Sequence, residues 1–212
     1  MYVPEVFAVT DQAEARRMMR EHSFALLVTA AEGAPVATHL PFLYDPEPGP
    51  HGTLLCHMAK ANPQWKDFAK LDAEGHEALV IFQGPHGYIS PSWYAGGPAV
   101  PTWNYLAVHA YGAPRIIDDA ARTKAHQERL VETHEAGSAV PWSMAGQDDK
   151  YIRRMLRGIV AFEIPITRLE AKAKLSQNKT DADRRGVVTA LEAGDHPGDQ
   201  ELAAAMRRAG ED

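Results

Sequence analysis

The sequence predicts an α+β fold built around one small β-barrel, on three observations. Hairpin-connected strands fill the first half of the chain, one late strand returns near residue 160, and the helices are inserted or appended rather than alternated with strands. Six or so strands joined by short turns can close on themselves. The 212 residues, 45% of them hydrophobic, suffice for a core that needs no disulfide staples. The expected organisation is a single domain over residues 1–212, with a helical extension from about 180 to 212.

Each element has its own signal. Residues 10–23 form a helix capped by Thr10 or Asp11, with Met18 and Met19 as its apolar contacts. A hairpin follows over 24–45, with Phe24–Ala30 as one strand, "AEGAP" as the turn and Val36–Tyr44 as the return. "PEPGPHG" is a loop by its prolines and glycines. Residues 53–71 begin as a strand and turn helical near Ala59, with Pro63 in the helix's first turn, where proline is tolerated best. Strands are predicted over 77–84 and 102–117, the second carrying Tyr105, Ala107, His109 and Tyr111 on one face.

The period changes at Asp118. A helix closed by Gly137 follows, then a shorter one in "DDKYIRRMLRG" with an acidic first turn and a basic last turn. "IVAFEIPITRLEAKAKL" carries the late strand, and "TDADRRGVVTALEAG" and "DQELAAAMRRAG" are terminal helices.

Charge and composition exclude several function classes. The net charge is −6, from 28 acidic and 22 basic residues, which argues against a sequence-independent nucleic-acid binder. The basic clusters in "YIRRMLRG" and "DADRRG" read as solvated helix faces. Cys56 is the single cysteine, so there is neither a disulfide framework nor a cysteine-based zinc site. The N-terminus has no secretory pattern and no stretch approaches the ~20 apolar residues of a membrane span, so the expectation is a soluble, cytoplasmic protein with no membrane partner.

The common mechanistic motifs GxGxxG, GxxxxGK[ST], GxSxG and HExxH are missing. His126 and His134 lie eight residues apart on a helix, too far for one metal without further ligands. His39, His57 and His109 sit on separate strands; they either converge on a metal or haem or are each hydrogen-bonded alone, the more ordinary arrangement.

Three stretches carry more. In "HMAKANPQW" (57–65) a strand ends and a helix begins at Asn62–Pro63, so free N–H groups beside Lys60 would seat a phosphate. The same spacing describes a plain strand-to-helix turn with Asn62 as N-cap, and it does not separate the two readings. "KLSQNK" (174–179) groups side chains suited to the polar edge of a heterocycle, or is simply a polar loop. Between Tyr88 and Gly112, two Trp and four Tyr stand among prolines and glycines; Trp93 and Trp103, stiffened by neighbouring prolines, either stack on a flat ligand or pack a core or interface.

Taken in order, "HLPF", "CHMAKANPQW", "IFQGPHGYISPSWY", "VPTWNYLAVHAYG" and "KLSQNK" closely resemble the PaiB-type FMN-binding negative transcriptional regulators, from about Tyr2 to about Leu191. The resemblance implies an FMN-binding split β-barrel of the pyridoxamine-phosphate-oxidase-like type, with peripheral and C-terminal helices, working as a homodimer with FMN at the subunit interface. It implies that Thr38, His39 and Leu40 line the isoalloxazine, that His57, Lys60 and Asn62 hold the phosphate, that the partner subunit supplies Trp103 and Asn104, and that Lys174, Gln177 and Asn178 close over the cofactor.

One departure from the oxidase branch is visible. That branch grips the phosphate with several Arg and Lys residues, whereas this chain offers Lys60 with His57 beside it. Either His57 and backbone amides complete the seat, or FMN is held weakly. The implied function is flavin-dependent redox chemistry on an unknown small molecule, or indirect repression of transcription through a metabolite. Haem binding or breakdown, and direct repression on DNA, are the alternatives. No residue stands out as a general acid or base.

Overall fold

The computed structural model describes residues 1–210. Among them are nine strands: β1 (Phe24–Thr29), β2 (Val36–Pro41), β3 (Leu43–Asp45), β4 (Thr53–Ala59), β5 (Ala78–Ile89), β6 (Thr102–Gly112), β7 (Arg115–Ile116), β8 (Ile159–Pro165) and β9 (Arg168–Lys174). Six α-helices accompany them: α1 (Gln12–Glu21), α2 (Asp67–Glu74), α3 (Ala120–Glu135), α4 (Asp149–Leu156), α5 (Asp181–Glu192) and α6 (Asp199–Arg208). The strands form a five-stranded sheet in the order β2-β1-β5-β6-β9 and a four-stranded sheet in the order β3-β4-β8-β7.

Three strands expected to be continuous are each divided in two. The return strand of the first hairpin pairs with β1 from Phe24↔Pro41 to Thr29↔Val36, then leaves that sheet at Phe42. Pro41 has no N–H to continue a ladder, and Phe42 donates its own amide to Ser23 O at 2.8 Å. β3 then joins the other sheet, in register Leu43↔Leu55 to Asp45↔Thr53. The strand expected over 102–117 likewise stops at Gly112 and resumes as β7, across Ala113-Pro114. The late strand is two, β8 and β9, separated at Pro165. In the opposite sense β5 runs five residues beyond its predicted end at Gly84, to Ile89.

Gly52 shows why the turn before β4 requires glycine. Its φ is +80°, and a Cβ there would lie 2.4 Å from Asp45 O and 2.6 Å from the Tyr44 hydroxyl.

The chain divides into two compact units, each assembled from separate segments. One comprises Met1–His22, Phe82–His109 and Glu170–Asp212. Its buried side chains include Met18, Met19 and Ile89, with Val187 and Leu191 from α5 and Leu202 and Met206 from α6. The other comprises Ser23–Ile81 and Ala110–Leu169. Phe162 centres its core, meeting Phe68 at 5.0 Å and Phe42 at 6.3 Å in edge-on geometry, the arrangement that aromatic quadrupoles favour. There β4 and β8 pair from Thr53↔Pro165 to Ala59↔Ile159. No helix among the described residues is long and apolar enough to cross a membrane.

Candidate functional site

The residues singled out in the sequence fall into two clusters, one in each unit. The first lies in the Ser23–Ile81 segment. β2 ends the order of its sheet, so its outer backbone edge has no strand partner among the described residues, and such an edge presents N–H and C=O groups to whatever lies beside it. Along β2, Leu40 is buried, Thr38 is half-buried and His39 is exposed, its ring stacked on Phe24 with centroids 6.0 Å apart.

Asn62 joins β2 to the turn after β4. Its amide nitrogen donates to Thr38 Oγ1 at 3.1 Å, and its Oδ1 accepts from Gln64 N at 3.0 Å. The N-cap role is therefore the one its side chain performs, on a 3-10 turn over Pro63–Lys66 that leads into α2. Two amides of this turn are already committed: Lys60 N donates to Gly158 O at 2.8 Å and Asn62 N to Ala59 O at 2.9 Å. What remains is the exposed Lys60 ammonium, which makes no ion pair among the described residues, with the Ala61 N–H next in the chain and the Thr38 hydroxyl joined to the turn through Asn62. One cation with two neutral donors suits a phosphate monoester.

Gln64 went unnoticed in the sequence and is the rivet of this cluster. It is 3% exposed, and its Nε2 reaches Leu27 O at 3.3 Å, Thr29 Oγ1 at 3.2 Å and Val36 O at 3.1 Å. Thr29 Oγ1 in turn donates to Asp67 Oδ2 at 2.7 Å. These bonds fix the Lys60 turn to the β1–β2 hairpin. The only signal in the sequence was a polar residue two places after a capping asparagine.

His57 has a different setting. Its ring lies 6.0 Å from that of His126 on α3, and its Nδ1 is buried without a partner. Burial pushes the pKa of His57 down, so it is neutral near pH 7 and offers no charge to an anion. Among the described residues no three His, Cys, Asp or Glu side chains come together as a metal site.

The second cluster lies in the other unit. Asn104 is 1% exposed and its Nδ2 donates to Ser176 Oγ at 2.9 Å, while its Oδ1 has no partner. Ser176 takes a left-handed φ of 64°, which turns its hydroxyl to Asn104. Lys174 Nζ donates to Trp103 O at 2.6 Å and to the Thr102 hydroxyl. Desolvation, followed by the nearby Lys172 and Lys179, lowers the Lys174 pKa. Gln177 braces its own loop, accepting from Leu175 N at 2.7 Å and donating to Ala173 O at 2.6 Å. Asn178 is exposed.

The aromatic loop divides by exposure. Trp103 is 55% exposed and meets Tyr88, itself 47% exposed, edge-on at 6.1 Å. Trp93 is half-buried, and its carbonyl lies where a Cβ on Gly186 of α5 would come within 2.1 Å. The cluster thus offers a flat, exposed aromatic face at Trp103 and Tyr88, while Asn104, on the opposite face of β6, ties the strand to the Ser176 turn from within.

Comparison with known proteins identifies the family to which the chain belongs. The family described as "Putative FMN-binding domain" matches residues 1–168. The chain is 36% identical over 208 residues to protease synthase and sporulation protein PAI 2 of Bacillus subtilis, covering 97% of this chain and 96% of that protein. Among solved structures it resembles the flavocytochrome Anf3 of Azotobacter vinelandii, with a TM-score of 0.62 and 14% identity over 87% of this chain and 78% of that one. It also resembles the FAD and heme binding protein of Mycobacterium smegmatis, with a TM-score of 0.58 and 18% identity over 90% of this chain and 81% of that one. The fold is the α+β split barrel that the sequence resemblance implied.

Proposed function

The chain belongs to the FMN-binding domain family, with FMN as its cofactor, and on that premise we propose a homodimeric flavoprotein that senses or transforms a small molecule and represses transcription indirectly. The observation that carries this reading is the Asn62 bridge. It holds the exposed Lys60 turn against β2, a strand at the end of its sheet order.

In this reading Lys60 and the Ala61 N–H hold the phosphate, with Asn62 orienting Thr38 toward it. The outer edge of β2 at Thr38, His39 and Leu40 meets the polar rim of the ring by backbone hydrogen bonds. His57, neutral and packed against His126, brings no charge to the phosphate. The second copy of the chain contributes Trp103 as a stacking wall, and its Asn104 holds the 174–179 loop in place through Ser176. Lys174 and Gln177 fix the loop that carries them, and Asn178 closes over it. FMN, when bound, supplies hydride or one-electron chemistry, and the protein's part is to orient it and exclude water.

The regulatory half of the proposal rests on the relative named for protease synthesis and sporulation, both controlled processes. The net charge of −6 favours an indirect route over tight DNA binding. A gel shift at low and at physiological salt separates the routes: the indirect route predicts no retained complex at either, and a complex that survives physiological salt contradicts it.

An absorbance spectrum of the purified protein from about 300 to 600 nm tests the cofactor reading. Flavin bands are expected. A Soret band after haem addition, lost in His39→Ala or His109→Ala, would replace FMN by haem, the cofactor that two fold neighbours carry beside flavin or FAD in their names.

A further inference from the structure

We propose that a cleft bounded by α3, α4 and the start of β8 binds a small organic monoanion with a flat apolar body, an arylcarboxylate in chemical class. The inference does not depend on the flavin reading, because apart from Lys60 at the rim none of the cleft's residues belongs to the flavin clusters.

The cleft encloses about 760 Å³, within the range of pockets that bury small molecules. Its floor is apolar: Ile117 and Ile152 are each 6% exposed and Val160 is 9% exposed. Trp65 forms a side wall, and its indole is pinned because Nε1 donates to Lys60 O at 3.1 Å. A fixed indole face beside branched aliphatic side chains suits a flat ring.

The rim is cationic. Lys60, Lys124, Arg153 and Arg157 line the cleft, against Asp118 and Asp149. Lys124 is committed to Glu128 at 3.0 Å. Arg153 and Arg157 are exposed and make no ion pair among the described residues, and they carry the anion contact while Lys60 is left to the phosphate seat. The backbone brings two of the rim cations together: Lys60 N donates to Gly158 O at 2.8 Å, and Gly158 N closes the end of α4 on Met155 O at 2.9 Å, so Arg157 is held beside the Lys60 turn. A local excess of unpaired cations in a chain of net charge −6 is a reversal of sign at the mouth of an apolar pocket. Guanidinium forks match a carboxylate bidentately, and the carboxylate then anchors a body that the apolar floor desolvates.

The test is calorimetric titration of the full chain with 2-naphthoate and with its neutral isostere 2-naphthylmethanol, each with and without saturating FMN. The expected result is saturable 2-naphthoate binding at one site per chain, unchanged by FMN, with the alcohol at least about tenfold weaker, the loss of a charge-assisted contact. The Arg153→Glu/Arg157→Glu pair should weaken 2-naphthoate at least about tenfold and leave the alcohol unchanged. Arg184→Glu/Arg185→Glu, on α5, should change neither, and a thermal melt establishes that each variant is folded. Absence of saturable binding, equal affinity for the alcohol, displacement by FMN, or equal weakening by the α5 pair would each overturn the proposal. A protein that takes up 2-naphthoate but no FMN would leave this site standing and remove the flavin reading.

Discussion

His126 is the residue whose chemistry is most at odds with its place. It is 4% exposed on α3, and neither ring nitrogen has a partner. Burial above all, then the nearby His57 and Arg129, pushes its pKa down to about 4, from an ordinary value of 6.5. The unfolded chain therefore binds a proton that the folded chain refuses between those two values. The stability from the neutral ring is fully present above pH 6.5 and is lost as pH falls toward about 4. His57, lowered by the same burial, adds to the loss with the same sign. The expected outcome is a melting temperature flat above about pH 7 that falls by several degrees toward pH 4, for a cost on the order of 3 kcal/mol. The His126→Met variant should flatten that slope. An acid slope of the same size in the variant would locate the effect elsewhere.

Asn62 allows a second test at the same scale. Asn62→Asp keeps the cap acceptor but loses the donor to Thr38 and puts a negative charge beside Lys60. Urea unfolding should show a change of about 1 kcal/mol or less. FMN affinity should fall much further, by about tenfold or more, because the added charge opposes the phosphate.

At the scale of elements, Gln64 and Asp67 fasten the Lys60 turn to the first hairpin, beside the Asn62 bond to Thr38. Gln64→Leu leaves the Val36 and Leu27 carbonyls without this donor, and is expected to cost roughly 2–3 kcal/mol in urea unfolding. An unchanged midpoint would mean the turn is held by packing alone. Helix α5 has a comparable constraint, since Gly186 sits against Trp93 O. Gly186→Val should push the helix off that carbonyl and speed amide exchange across α5.

The elements were also where the sequence was most and least legible. The cap at Asp11 and the closing Gly137 were legible, and in the structure Asp119, Asp148 and Thr180 cap the later helices as Asp11 caps α1, each accepting a hydrogen bond from the first turn that follows. Strand identity came through by period, as in β6, where Asn104, Leu106, Val108 and Ala110 are buried in alternation with Trp103, Tyr105, Ala107 and His109. Strand continuity did not, because apolar period alone cannot show a change of sheet. The prolines at 41, 114 and 165 marked all three breaks. In the site, Asn62 was readable as a local cap. The Gln64 and Ser176 bonds were not, since their partners lie 28 to 37 and 72 residues away in the chain.

For the whole molecule, the proposed flavin site needs two copies of the chain. Tyr88, Val100 and Trp103 are large, apolar and exposed within one segment, a combination that marks an interaction surface. Light scattering at micromolar concentration is expected to give twice the 23.3 kDa chain mass. Trp103→Arg should shift the population toward monomer and reduce FMN binding with it. A monomeric wild type that still binds FMN would remove the shared site.

The central claim is that the turn after β4, tied to β2 through Asn62, holds the phosphate of FMN by the Lys60 ammonium. It is tested most directly by titrating the protein stripped of flavin with FMN and with riboflavin, in wild type and in Lys60→Ala, following flavin fluorescence. The wild type is expected to prefer FMN over riboflavin by about tenfold or more, and Lys60→Ala to lose most of this preference while leaving riboflavin affinity unchanged, because the charged phosphate contact has been removed. Equal FMN affinity in wild type and variant would contradict it.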